Sequence, residues 1–338
     1  MPSFPLATQT AYQDLLESHK VRAVSDLGGA PISKSHGTRG NYWYARQRIG
    51  SRVVDRYIGR DTPEIRKRIE KAKHELEDQK TFEQRCASLV AQLRAAGLLA
   101  LDRDTGKVLN AMARVGTFRF GGTLVGTHAF RLYGAELGIR LDRDFVNATQ
   151  DVDTAAFENI KLVIGDNVDP ALADMFKELK LSLAPNLNRK RRATRWVMQG
   201  GGTTIDFLTP KTQEGRDILI LEPLGIYAQA LPFLNFLISE PIPAVALYRS
   251  GVLVQIPRPE RYAIHKLIVA QRRTGRLQAK SRKDFAQARN LIHILSEDRP
   301  HALREAYETA MDGEPEWRSE IKKSLSQHPD IAKIMEGL

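Results

Sequence analysis

Hydrophobic and polar positions change their period several times along the chain. Residues 1–27 read as one helix plus a linker, and residues 28–40 (GGAPISKSHGTRG) read as a Gly/Ser/Pro loop. The stretch NYWYARQRIGSRVVDRYIG then holds two β-rich runs, 41–47 and 52–58, separated by Ile-Gly-Ser, and predicts a β-hairpin. Residues 61–97 read as helical. Asp61-Thr62-Pro63-Glu64 starts that helix, with Pro in the first turn and an acid near its positive end. The segment EIRKRIEKAKHELEDQK is charged nearly all round, whereas FEQRCASLVAQLRAAGLL has an apolar face and ends at Gly97. A short helix is expected around 107–114.

From residue 118 the period changes again. FRFGGTLVG reads as strand then turn, and THAFRLYGAELGIRL as an amphipathic helix with Ala129, Phe130, Tyr133 and Leu137 on one side. A strand is expected over 150–155, a strand or short helix at 157–164, and a helix near 170–180. Two strands flank the Gly triplet at 200–202, the second at 203–208. AVALYRSGVLVQIP (244–256 with its trailing Pro) reads as a hairpin turning at Ser-Gly. Beyond Pro257 and Pro259 the chain turns helical to its end. A mixed sheet followed by a helical bundle is an α+β arrangement. The expected divisions are 1–100, 101–256 and 257–338.

Composition narrows the class. With 338 residues and 42% hydrophobic residues, the chain can bury a core. No run of 18 apolar residues occurs, so no transmembrane helix is expected. The N-terminus lacks a basic start with an apolar core, and Cys86 stands alone; a cytoplasmic location is expected, with no intramolecular disulfide and no cysteine-based zinc site. Cys86 is expected as a small buried helix residue. The net charge is +11, unevenly spread. Residues 1–60 hold nine Lys/Arg against four Asp/Glu, and residues 257–299 hold eleven against four. Two basic regions around a near-neutral middle suit polyanions: a nucleoside triphosphate, a nucleic acid, or both. The hairpin's interleaved aromatics and arginines suit bases and phosphates, or else a small sheet packed on a helix. The run Asn188-Arg189-Lys190-Arg191-Arg192 is either a solvated loop or a phosphate contact.

The chemistry-bearing residues are carboxylates. In Asp151-Val152-Asp153, strand geometry puts both acids on one face, about 7 Å apart along the chain. Asp206, between apolar Ile205 and Phe207, lies on a second expected strand. Three converging carboxylates call for cations, and oxygen-only ligands select Mg²⁺ or Mn²⁺. Upstream, Gly126-Thr127 forms a small-residue turn before a helix, a place where backbone N–H groups can meet a phosphate. The spacing Gly121 to Gly126 imitates a P-loop, but Thr127 stands where its lysine is needed. Lys266 and Arg273, seven residues apart, are expected on one helix face as phosphate ligands, or else as a solvated stripe. Asp284 is expected either in the chemistry or pairing with such a base across two helices. His265 and His128 are expected in packing roles.

The order of LVGTHAF, TQDVDTA, TIDFLTP and RYAIHKLIVAQRR…KDFAQA resembles the DNA polymerase β-like nucleotidyltransferase superfamily. It is similar to a bacterial group related to abortive-infection (type IV toxin–antitoxin) toxin nucleotidyltransferases. The resemblance spans about 115–295 and implies a nucleotidyltransferase mixed sheet with a C-terminal helical domain and an N-terminal hairpin and helical region. It implies Asp151 and Asp153 as the metal-binding pair, with Asp206 as a third ligand and a base for the acceptor hydroxyl. It implies Gly126 and Thr127 as the triphosphate turn, Lys266 as a phosphate lysine, and Lys283-Asp284 as a later charged motif. The motif's second residue, usually Gly or Ser, is Thr127 here, which keeps the hydroxyl and adds a methyl group.

The expected activity is transfer of a nucleoside monophosphate from a triphosphate such as ATP to an acceptor hydroxyl, with RNA or tRNA favoured as acceptor. A protein or small-molecule acceptor, an enzyme silenced by an antitoxin, and a catalytically silent module that binds nucleic acid or protein are the alternatives.

Overall fold

The computed structural model describes residues 2–25, 30–35, 41–49, 52–76, 79–114, 116–119, 121–141, 159–164, 181–183, 193–198, 204–211, 216–221, 226–273, 275 and 278–338. The expected strand at 150–155, the helix near 170–180 and the basic run 188–192 lie outside these residues. The chain divides into two compact units, one of residues 1–3, 107–242 and 254–338, the other of 4–106 and 243–253.

The smaller unit begins with α1 (Leu6–Ser25), followed by β1 (Ala30–Ser35), β2 (Asn41–Ile49) and β3 (Arg52–Arg60). The expected hairpin is therefore a three-stranded antiparallel sheet, and the expected 28–40 loop contains its edge strand. Its Gly/Ser/Pro content hid that strand. Pro31, opposite Ala45, sits on an edge, where a missing N–H breaks no ladder.

Helix α2 (Pro63–Leu76) starts where the sequence places it, with Thr62 Oγ1 accepting the Ile65 N–H at 3.2 Å. Trp43 Nε1 donates to Asp61 Oδ1 at 2.8 Å, and Arg66 Nε donates to the same oxygen at 2.6 Å. These two donors hold the Asp61 carboxyl down at about 2. Trp43 thus ties the sheet to Asp61, just before α2. The expected single helix over 61–97 is two helices, α2 and α3 (Gln79–Ala95), with Cys86 fully buried on α3. Tyr12 of α1, also fully buried, accepts the Val245 N–H at 3.1 Å.

Helix α4 (Arg103–Arg114) leads into the larger unit. Its sheet comprises β4 (Gly122–Val125), β5 (Asn159–Ile164), β6 (Leu181–Leu183), β7 (Arg195–Met198), β8 (Thr204–Pro210), β9 (Ile218–Leu221) and β10 (Ile226–Leu231). The order is β4-β5-β8-β10-β9, with β7 beside β8 and β6 beside β7. The segment left open as strand or helix at 157–164 is β5, parallel to β8. Strands buried on both faces read as near-continuous apolar runs; in β8, Ile205, Phe207 and Leu208 are all buried.

Helix α5 (Thr127–Glu136) follows β4, and α6 (Leu234–Ile238) follows β10. The hairpin of β11 (Ile242–Ala246) and β12 (Val252–Ile256) precedes α7 (Pro259–Gln271). Then come α8 (Gln278–Asp298), α9 (Pro300–Met311), α10 (Pro315–Ser326) and α11 (Pro329–Glu336). Helix α7 packs against α6, α8, α9 and α10, so most of its residues are buried, with Tyr262, Ile264, Leu267 and Ile268 almost wholly so. No helix among the described residues is long and apolar enough to cross a membrane.

Candidate functional site

Four strands of the larger sheet share one transverse row. Val125 of β4 is opposite Lys161 of β5, Lys161 is opposite Asp206 of β8, and Asp206 is opposite Arg195 of β7. With strands about 4.8 Å apart, Val125 and Asp206 are about 10 Å apart across the sheet. The chain leaves β4 immediately after Val125 through Gly126, whose φ of 73° and ψ of −147° belong to a region essentially reserved for glycine. That turn opens α5, whose first backbone N–H groups have no partner within the helix. A β–Gly–α turn beside a strand carboxylate is what the sequence pattern implied.

Helices α7 and α8 close on the same turn. The Tyr262 hydroxyl donates to Gly126 O at 2.9 Å and lies 3.2 Å from the side-chain amide of Gln287. Gly126 O also accepts the Phe130 N–H at 3.1 Å, so one carbonyl ties the turn to its own helix and to α7. Phe130 and Tyr133 of α5 pack their rings on Tyr262, with centroids 6.2 and 5.2 Å away. Lys283 Nζ of α8 donates to Thr127 Oγ1 at 3.3 Å. The hydroxyl that Thr127 shares with the usual Ser is therefore in use.

Asp284, adjacent to Lys283 and only 4% exposed, holds two cations: Lys266 Nζ on one oxygen and Arg273 Nε on the other, the latter at 2.6 Å. Burial pushes the Asp284 carboxyl up, but the charges and hydrogen bonds of Lys266 and Arg273 outweigh it and leave it below the ordinary range. Burial lowers Lys266, with Asp284 opposing. The neighbouring His265 is brought down to about 3 by burial and by the Lys266 charge, so it is neutral at physiological pH. Of the two roles weighed for Asp284, this geometry is the pairing one. Lys266, Arg273 and Lys283 against one carboxylate leave two positive charges in excess beside the Gly126 turn.

One expectation needs correction. Lys266 and Arg273 do not share a helix face, because α7 ends at Gln271 with Arg272 as its cap and Arg273 beyond it. The chain turns there toward Gly275, whose φ is +58°. Arg273 reaches Asp284 from past the helix end, so convergence on the carboxylate, rather than helical periodicity, joins the two cations.

Asp206 itself is half-buried, and both of its oxygens are engaged. Arg195 Nε donates to Oδ1 at 2.7 Å and Nη2 to Oδ2 at 3.0 Å. At this row the edges of β8 are taken by β5 and β7, the neighbours that Asp206 has among the described residues. Asp151 and Asp153 lie outside those residues. Among the described residues no three His, Cys, Asp or Glu side chains converge as a metal cluster. What bears on a metal is the chemistry of Asp206: a hard, anionic oxygen donor that already attracts a cation at both oxygens, a fit for Mg²⁺ or Mn²⁺.

Gly126, Thr127, Lys266, Arg273, Lys283 and Asp284 are thus brought together by hydrogen bonds, and Asp206 shares a sheet row with Val125, the residue before Gly126. Two participants escaped the sequence reading. Tyr262 is four residues before Lys266, one turn of α7, which places it on the same helical side. Arg195 carries no local signal, since only strand register sets it against Asp206. Replacing Tyr262 with Phe is expected to remove one hydrogen bond while Gly126 O keeps another, costing about 1 kcal/mol. Thermal unfolding should then fall by about 3 °C. An unchanged Tm would show that Tyr262 does not hold the turn.

Comparison with known proteins gives two family matches. A model described as nucleotidyltransferase matches residues 103–312. A model described as a domain of unknown function matches residues 12–67, which take in the three-stranded sheet. The crystal structure of an antigenic nucleotidyltransferase-like protein from Paracoccidioides brasiliensis is similar at 14% identity and a TM-score of 0.38, covering 69% of this chain and 92% of that one. No curated protein matches the chain.

Proposed function

This chain belongs to the nucleotidyltransferase family, and on that premise we propose that it transfers a nucleoside monophosphate from a nucleoside triphosphate to an acceptor hydroxyl on RNA. The observation that carries this reading is Lys283 hydrogen-bonded to Thr127 of the Gly126-Thr127 turn, next in sequence to the Asp284 carboxylate that gathers Lys266 and Arg273, with the turn one residue beyond the sheet row that holds Asp206.

In this reading Asp151, Asp153 and Asp206 hold Mg²⁺ or Mn²⁺. The ions supply charge neutralisation at the reacting phosphate and acidify the attacking hydroxyl. Asp153 stands six positions before Asn159, and β5 enters the sheet at the end where β4 leaves through Gly126. The chain's own groups do the rest. The α5 N-terminus and Thr127 take the triphosphate. Lys283, already on Thr127, and Lys266 and Arg273, oriented by Asp284, neutralise the departing pyrophosphate. In this reading Asp206 also accepts the proton of the acceptor hydroxyl. Rate arises from positioning and charge.

RNA is favoured as acceptor because the basic excess continues past the site. Lys280 and Arg282, exposed on α8, shortly precede Lys283 in sequence. The test incubates the purified chain with each α-³²P nucleoside triphosphate, Mg²⁺ or Mn²⁺, and total cellular RNA, beside an Asp151→Ala/Asp153→Ala variant. Label is expected on one RNA class, lost in the variant. Label on protein moves the acceptor to a protein hydroxyl. No label on any acceptor, with triphosphate binding intact, overturns the transfer reading.

A further inference from the structure

Arg195 is absent from every role described so far except one, its grip on Asp206. We propose that Arg195 is a positioning residue that competes with the catalytic cation for Asp206 and so sets the metal concentration at which the enzyme becomes loaded. The proposal rests on Asp206 being a metal ligand.

Three observations carry it. First, the contact is bidentate. Nε and Nη2 each take one carboxylate oxygen, at 2.7 and 3.0 Å, the planar fork that matches guanidinium to carboxylate. A cation arriving at Asp206 therefore meets oxygens already engaged by positive charge. Second, the backbone imposes the encounter. Arg195 and Asp206 are directly opposite on antiparallel β7 and β8, a register that brings facing Cβ atoms to about 5 Å. Among the described residues, β7 is matched to β8 at 204–206, before β10 becomes the neighbour of Leu208–Pro210, and one of those three pairs is the contact. Third, the pair is asymmetric. The Arg195 side chain is 54% exposed and that of Asp206 16%. The arginine can turn into water at little cost, whereas the aspartate is held by its strand. A half-exposed ion pair is worth little in stability, so a divalent ion bound by several carboxylates displaces it.

The arrangement has two consequences for the metal. Without the ion, Arg195 holds both Asp206 oxygens. With the ion, Arg195 has to give up at least one oxygen, and its charge then stands beside the metal. Both effects weaken metal binding. The Arg195→Ala variant is therefore expected to bind Mn²⁺ about fivefold more tightly, the ratio that corresponds to a surface pair of about 1 kcal/mol. Arg195→Lys keeps the charge but loses the fork and is expected to fall between the two.

The experiment titrates Mn²⁺ into the full chain without nucleotide, reading free Mn²⁺ by electron paramagnetic resonance, for wild type, Arg195→Ala, Arg195→Lys, Asp206→Asn and Arg195→Ala/Asp206→Asn. Tighter binding by Arg195→Ala, with no further change when that substitution is added to Asp206→Asn, supports the proposal. Unchanged or weaker binding by Arg195→Ala, while Asp206→Asn still loses affinity, overturns it and leaves Asp206 a ligand. Unchanged binding by Asp206→Asn removes Asp206 from the metal site, and the proposal falls with that reading. A gain that persists in the double variant also overturns it, because Arg195 would then act on the metal through bulk charge rather than through Asp206.

Discussion

Replacing Asp206 with Ala is expected to lower kcat/KM for nucleotidyl transfer by about 10³-fold or more, the several kcal/mol that charge neutralisation by a bound metal contributes to a transition state. The same change is expected to move the melting temperature little. The change removes the Arg195 pair, and Arg195 is more than half exposed. Such a pair contributes about 0–1 kcal/mol, and the freed guanidinium hydrates in place. Steady-state kinetics beside a thermal melt separates the two quantities. An activity loss under tenfold at full stability would remove Asp206 from the reaction centre. A large fall in Tm would show that the row across the sheet depends on this ion pair.

Asp284→Ala is expected to do the opposite, destabilising first. Here the deleted carboxylate is buried, and its removal strands Lys266 and Arg273, whose side chains are 12% and 22% exposed. Breaking a buried pair by deleting one partner costs about 3–5 kcal/mol, and the partial exposure of Arg273 argues for the lower end, about 3 kcal/mol. For a unit of this size that is a Tm lower by about 10 °C. Activity should fall as well at temperatures where the protein stays folded, because the two cations lose the group that orients them.

The pH dependence has a defined sign. The folded carboxyl titrates below its ordinary value of 3.8. Its contribution is therefore complete above about pH 4 and is lost as pH falls through the depressed folded value. The gap in Tm between wild type and Asp284→Asn should be constant from neutral pH down to about pH 5 and narrow in stronger acid. A gap that widens in acid would mean that the folded carboxyl is raised rather than lowered.

These two variants each delete a carboxylate that holds an arginine, and they differ because burial differs. That difference also separates the legible from the illegible in this protein. Local pattern located most elements. The Pro63 helix start, the helix from Thr127, the strand around Asp206 and the helix after Pro259 stand where periodicity and turn chemistry put them. Each depends on residues close in sequence: a capping hydroxyl, a glycine at positive φ, an alternating apolar face. Gly126, Thr127, Lys266, Arg273, Lys283 and Asp284 each stood out in the sequence, some by residue type and order and Lys283-Asp284 by family resemblance, and hydrogen bonds link them in the structure.

Position relative to distant partners was not legible. The edge strand Ala30–Ser35 looked like a loop because an edge strand is stabilised by its neighbour rather than by its own composition. Arg273 was placed on a helix face by counting residues, but the helix ends before it, and a buried carboxylate eleven residues later decides where its guanidinium goes. The role of Asp284 as the hub between Lys266 and Arg273 needed α7 packed on α8. Arg195 acquired a role only through strand register, because it lies eleven residues from Asp206 with a glycine triplet between them. By itself the sequence determined which elements form and which chemistry their side chains bring. Only the tertiary structure decided which charge meets which, since a pairing between remote residues is set by packing and register, and neither is written in the local spacing of either partner.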